Sequence, residues 1–437
     1  MPVIVLMTLT SMRRRARALA LGLALAAAGV AALTLTTANP AAAAAGQGGA
    51  TARGAATAHG TAATGQDAAA TASSTAPDDV ARVAATAHGG AAPRRLVIID
   101  QDAYGPAGSN LQAILMLLQA PDVEVLGITI TSGDGWRDEE VDQTLRLLEI
   151  AGRPQVPVVP GAVLPLVNSQ ARTLAWEHLY GKLFYKGAWT ESWPDQGVVR
   201  RTPHPTDPYL VPPSPAGAPH LKAAPEVAAN FLVREVHRHP GQVTVIAAGP
   251  LTNLALAARL DPQFSSLAQE LVFMGGSFNP RAADNAFAAE YANSPRREFN
   301  MRWDPEAASL VLHEPWRKIT EVPVDPTTKT FFSPALMKRI AAGSAPFDAY
   351  LGQFGQSYPM WDELAVAVWL DPGIVTRATP LLVDVDTSFT AGYGDTLSWT
   401  PGTGPGLGEQ AVQVVMDIDL EKFEALAVDL LSHAAAH

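Results

Sequence analysis

Short, wholly apolar runs alternate with amphipathic stretches along most of this chain. Leu96-Val97-Ile98-Ile99 is a β-branched run that stops at Asp100, and a helical pattern follows over residues 111–118. Residues 123–130 are apolar again and end in Thr131-Ser132-Gly133-Asp134. Val141, Leu145, Leu148 and Ala151 then recur at helical spacing, and Gly152 closes that stretch. After a long interruption the cycle resumes. The pattern predicts a helix over 226–237, a strand over 243–247, a helix over 252–260 and a strand over 271–274 that ends in Gly275-Gly276. A last strand and helix are predicted at 410–418 and 420–431. Strands buried on both faces, alternating with helices, predict an α/β fold with a mainly parallel sheet flanked by helices.

Ligands of such sheets sit beyond the carboxyl ends of the strands. Those ends carry Asp100 and Asp102, then Ser132 and Asp134, then residues 250–253, then Gly275 and Gly276. The first two clusters are acidic, with no basic residue beside them. They suit an oxygen-lined pocket for a hard cation such as calcium, or for a polyhydroxylated ligand. A phosphate site is disfavoured, since no Gly-rich loop followed by Lys is present.

Composition narrows the classes further. The chain has 437 residues, 48% hydrophobic, with no cysteine. That excludes a disulfide scaffold, a cysteine nucleophile and thiolate metal sites. The formal net charge is −11. The first 45 residues hold four Arg and no acid, so removing them takes the remainder four units lower, to −15. So acidic a body argues against nucleic acid as a partner.

Arg13, Arg14, Arg15 and Arg17 precede an apolar Leu/Ala stretch, and small residues crowd 41–45. This is the pattern of a secretory signal peptide over 1–45, cut near 43–46, with Met12 a natural start. The apolar stretch is shorter than the ~20 residues a spanning helix needs, so no stable membrane insertion is expected after cleavage. Export is the expected localisation. Residues 46–93 are Ala, Thr and Gly without periodicity and read as a linker, leaving 94–437 as the folded domain. Within it, 154–225 is rich in Pro and aromatics, including Trp176, Tyr180, Phe184, Tyr185, Trp189 and Trp193. It is either an insertion with a small satellite core or a lid whose aromatics stack on a planar ligand.

Several segments, in order, resemble the inosine–uridine-preferring nucleoside hydrolase family. They are Asp100-Gln101-Asp102, the stretch 121–129, Gly249-Pro250-Leu251-Thr252-Asn253, Met274-Gly275-Gly276, Glu298-Phe299-Asn300, Asp304-Pro305-Glu306 and Trp361-Asp362-Glu363-Leu364-Ala365. The resemblance covers about 94–431 and implies a Rossmann-related domain that splits a nucleoside into base and ribose. It implies a calcium ion, with Asp102 both a ligand and the base that takes a proton from water. Asp362 would be a second carboxylate ligand, Thr252 would give its backbone carbonyl, and Asp100 would lie in or next to the ligand set. Glu298 and Asn300 would bind ribose hydroxyls.

The chain departs from the family pattern in places. Ser109-Asn110 stands where the family has Asp-Asp, so Asn110 offers a neutral carbonyl oxygen, and a weakened or lost metal site is one expectation. Asp134 stands where Asn is usual and restores a carboxylate near the substrate. Trp361 replaces a His that protonates the leaving base in some members, and either packs in the core or stacks on the base. His178 and Tyr185 are the candidate replacement acids. Asn293 is one residue out of register for a substrate-binding Asn. Arg296 and Arg297 pair with Glu298 or meet an anionic substrate group. Taken alone, Thr252-Asn253 is a helix N-cap and Asp304-Pro305-Glu306 a helix start. The alternative to a hydrolase is a secreted, catalytically inactive nucleoside- or sugar-binding protein on the same scaffold. A homo-oligomer is compatible with the sequence, which does not specify the base.

Overall fold

The computed structural model describes residues 94–191, 203–280, 291, 294–341, 347–355 and 358–432. The stretches read as a signal peptide (1–45) and a linker (46–93), together with Trp193 and Asn293, lie outside them.

The strands are β1 (Arg95–Gln101), β2 (Val123–Ile130), β3 (Val158–Pro160), β4 (Val243–Ala248), β5 (Glu270–Met274), β6 (Ile319–Val322), β7 (Val375–Val385), β8 (Thr396–Trp399) and β9 (Ala411–Ile418). They form one sheet in the order β3-β2-β1-β4-β5-β6-β9-β7-β8. Pairing is parallel from β3 across to β9, and β7 runs antiparallel to both β9 and β8.

Successive side chains of a strand point to opposite faces, and β1 uses both. Val97 and Ile99 enter one core layer, with the helices Ser109–Gln119, Arg137–Ile150, Trp361–Leu370 and Leu420–Ser432. Ile98 enters the other, with the helices Ala228–Arg238, Thr252–Leu260 and Pro305–Leu312. The helix Ser109–Gln119 is buried on nearly every face, because it is packed between the sheet and the helices Trp361–Leu370 and Leu420–Ser432.

From β1 the chain moves outward through β2 to β3, then returns to the other side of β1 as β4. The strand order therefore reverses between β1 and β4, and the crevice beyond their carboxyl ends is where such sheets bind ligands.

The stretch read as an insertion begins inside the sheet, since Val158–Pro160 pairs with β2 as an edge strand. The rest supplies the helix Gln170–Tyr180 and a 3₁₀ turn at Gly187–Trp189. Its aromatics build a satellite core: Trp189 stacks on Trp303 at 3.9 Å and Tyr185 tilts against Phe299 at 4.7 Å, with Trp136 beside them. That core is continuous with the Glu298–Asn300 segment, which it backs.

Candidate active site

Asp100 and Asp102 leave the end of β1 at the crevice, both fully buried. Asp100 Oδ1 accepts from the Thr129 hydroxyl and from Asn253 Nδ2, the latter at 2.8 Å. Its Oδ2 has no partner among the described residues. Asp102 Oδ1 accepts from Asn110 Nδ2 at 3.1 Å, and Oδ2 accepts the Asp134 backbone N–H at 2.9 Å. A Cβ on Gly133 would lie 2.2 Å from that second oxygen, so the loop after β2 reaches Asp102 only because residue 133 is glycine.

The first turn of the helix Trp361–Leu370 brings Asp362 to the same place. Gln101, between the two aspartates, donates Nε2 to Asp362 Oδ2 at 3.2 Å. Ser109 accepts the Asp362 backbone N–H at 3.2 Å and donates its hydroxyl to Glu363. Ser109 therefore ties two helix ends together without adding charge.

Beyond β5, Glu298 caps the helix Phe299–Trp303 by accepting from the backbone N–H groups of Asn300 and Met301, and it also accepts from Gly276 at 3.1 Å. Asn300 donates Nδ2 to the Met274 carbonyl at 3.1 Å, which sets both side chains at the carboxyl end of β5.

Thr252 and Asn253 do not act as a helix cap. Leu251 holds that position without a side-chain bond. Thr252 donates its hydroxyl to Asp304 Oδ2 at 2.7 Å, and Asn253 spends its amide on Asp100 and on the Ala162 N–H. Asp304 does cap the helix Pro305–Leu312, with Pro at the first turn. Arg296 and Arg297 do not pair with Glu298: Arg297 binds Asp395 at 2.9 Å and lies over Trp176, and Arg296 donates to the Thr396 carbonyl.

Trp361 is half-buried, packed on the core and stacked with Tyr358 at 5.9 Å. His178 is exposed in the last turn of its helix, and no described contact joins it to the carboxylates. Tyr185 does reach them, donating its hydroxyl to Asp134 Oδ1 at 2.6 Å.

The site's electrostatics are one-sided. Burial pushes Asp102 well above the usual carboxylate range, and repulsion from Asp134, Glu140 and Asp362 adds to it. Asp362 is raised by burial, then by Glu363, Asp134 and Glu298. Burial lifts Asp100 to about 7 and Glu298 to about 7. Among the described residues no Lys or Arg is a cause of the shift at Asp102 or Asp362, so burial and like-charge repulsion together favour their protonated forms. Among the described residues no three acidic or imidazole groups are spaced to share a metal ion. Two carboxylates supplemented by neutral oxygens form a different donor set. Asp102 and Asp362 with the amide of Asn110 and the carbonyl of Thr252 have that hard-oxygen chemistry.

The sequence profile of the inosine-uridine preferring nucleoside hydrolases matches residues 97–425. The chain belongs to that family. It is 29% identical over 358 residues to a probable uridine nucleosidase 2 of Oryza sativa subsp. japonica, covering 77% of this chain and 93% of that one. Against the inosine-uridine preferring nucleoside hydrolase of Leishmania major it is 27% identical, covering 77% and 97%. The match to a probable uridine nucleosidase 2 of Arabidopsis thaliana is 34% identical and spans 56% of that protein. Among solved structures, a plant nucleoside hydrolase superposes with a TM-score of 0.58 at 22% identity, over 78% of this chain and 99% of that one. A purine-preferring ribonucleoside hydrolase from Gardnerella vaginalis gives 0.57 at 21%, over 77% and 99%.

As a nucleoside hydrolase the chain acts on N-glycosyl bonds, and nothing in the site favours an inert binding protein. Several residues of this nucleoside hydrolase site carry no signal in the sequence taken alone. Gln101 reads only as the spacer of Asp-x-Asp, yet it carries the bond to Asp362. Glu140 raises Asp102 from within a helix, where it reads as an ordinary exposed acid although it is fully buried. Asn253 belongs to a motif visible in the sequence, but its bond to Asp100 is not, since taken alone it reads as a cap. None of the described helices is long and apolar enough to cross a membrane.

Proposed function

We propose that the Asp102 centre hydrolyses the N-glycosidic bond of ribonucleosides, releasing base and ribose, with Asp102 as the base that takes the proton of the attacking water. The observation that carries this reading is the burial of Asp102 among Asp134, Glu140 and Asp362, with no compensating cation among the described residues. A carboxylate held above its usual range retains a proton readily once it has received one.

The residues fit a divalent cation, calcium by preference, held by Asp102, Asp362, the Asn110 amide oxygen and the Thr252 carbonyl, with Asp100 behind them. When bound, such an ion lowers the pKa of its water and grips vicinal hydroxyls. The chain's own residues supply the rest. Asn110 and the Asp134 N–H hold the two oxygens of Asp102 in place, while Gln101 holds Asp362. Glu298, Asn300 and Asp134 present acceptors and donors to ribose hydroxyls as oxocarbenium-like charge develops on the sugar. Trp361 offers a half-buried ring to the departing base. The positively charged, apolar leader over 1–45 supports export of the enzyme.

The test is base release from a panel of purine and pyrimidine nucleosides, with calcium and with chelator. Calcium-dependent release of a free base is the expected result. Absence of release from every nucleoside, with calcium saturating, would refute the reading.

A further inference from the structure

The aromatic insertion is fastened to the acidic centre through a short set of contacts. Gly187 opens the 3₁₀ turn at φ 54°, and a Cβ there would lie 2.1 Å from the Gly133 carbonyl oxygen and 2.5 Å from Phe299 Cζ. Only glycine permits both the conformation and the approach. Ala188 N–H then donates to the Gly133 carbonyl at 2.9 Å.

Two residues before Gly187, the Tyr185 hydroxyl donates to Asp134 Oδ1 at 2.6 Å. Its ring lies against Phe299, and its carbonyl accepts from Arg302 Nη2 at 2.6 Å, so the tyrosine is held at ring and backbone as well as at the hydroxyl. Gly133 and Asp134, the residues this turn grips, both touch Asp102. Gly133 lies directly against Asp102 Oδ2, and the Asp134 N–H donates to that oxygen.

We propose that Tyr185 is a positioning residue of the hydrolytic site: its hydroxyl fixes the Asp134 carboxylate, and through the 133–134 backbone it fixes the orientation of Asp102. The proposal rests on the reading of Asp102 as the base. It also assigns Tyr185 a task other than protonating the leaving base. Its hydroxyl is committed to the Asp134 carboxylate. The insertion thereby contributes to the chemistry through the geometry of the loop after β2.

Tyr185→Phe removes one oxygen and leaves the ring on Phe299. A small misplacement of the base should lower kcat about tenfold while KM moves less than about twofold and the melting temperature stays within about 2 °C. In an Asp134→Ala background the hydroxyl has lost its target, so adding Tyr185→Phe should cost nothing further. Equal losses in both backgrounds, or a wild-type kcat in Tyr185→Phe, overturn the proposal. Amide hydrogen exchange over 133–135 gives a readout independent of turnover and should quicken at least about fivefold in Tyr185→Phe. Unchanged exchange there also overturns it. A wild-type chain that releases no base would mark failure of the hydrolase reading, and exchange then decides by itself whether Tyr185 fastens the loop at Asp102.

Discussion

Asn110 donates its side-chain amide to Asp102 Oδ1 at 3.1 Å, so the helix Ser109–Gln119 meets the proposed base with a neutral donor. A carboxylate at 110 would place a further negative charge against a group already repelled by Asp134, Glu140 and Asp362. With Ser109 bonded to Glu363 and to the Asp362 N–H, the pair that departs from the family pattern is fully engaged in the fold.

Asn110→Asp replaces that hydrogen bond by repulsion. In chelator the variant should be less stable than wild type by about 1–3 kcal/mol, the usual cost of losing a buried hydrogen-bond partner. Calcium should recover most of the loss. Thermal melts with and without calcium check this, and equal melting temperatures in chelator would contradict it.

Asp102→Asn keeps the shape of the side chain and removes the base. Base release should fall about 10³-fold in kcat, the scale of a lost general base. The metal-free variant should melt no lower than wild type, because one member of a mutually repelling set has become neutral. Single-turnover base release and calorimetric melting separate the two effects.

Asn253→Ala cuts the link between Asp100 and the Ala162 backbone. It leaves buried Asp100 and the half-buried Ala162 N–H each short of a partner, which should cost about 1–3 kcal/mol in a urea titration. Asn253→Asp should be worse still, since it sets a second carboxylate against Asp100. Stability within about 0.5 kcal/mol of wild type for either variant would show that the link is dispensable.

Acid should stabilise the metal-free protein. Burial raises Glu298 to about 7, Asp304 to about 6 and Glu363 to about 8. The native state therefore holds these protons more tightly than the unfolded chain, whose carboxylates titrate near about 4. The resulting stabilisation is complete below that unfolded value and is lost as pH rises through the native values. In chelator the melting temperature should decline from pH 5 to 8. A melting temperature that climbs across this interval would mean that these groups are ionised in the native state at lower pH.

Much of the scaffold is legible along the chain. β1, β2, β4, β5 and β9 fall on the apolar runs, and the helix Thr252–Leu260 has the bounds its periodicity predicts. β6 is missed because it is four residues long with Glu321 inside it. β7 is missed because most of its residues are only half-buried or exposed, so no apolar run marks it. The acidic strand ends at Asp100, Asp102 and Asp134 are equally visible, since a run of apolar residues that stops at carboxylates needs no tertiary information to be noticed.

What the sequence determines by itself is therefore the alternation of buried strands and helices, and the acidic character of the strand ends facing the crevice. Partner choice belongs to the tertiary structure. Gln101 meets Asp362 across 261 residues, Thr252 turns away from its own helix end to Asp304, and Tyr185 crosses 51 positions to Asp134. Each of these depends on strand order and on how loops pack over the reversal between β1 and β4. A local pattern records which face of an element is buried, but the neighbour that buries it is set only when the sheet closes around β1.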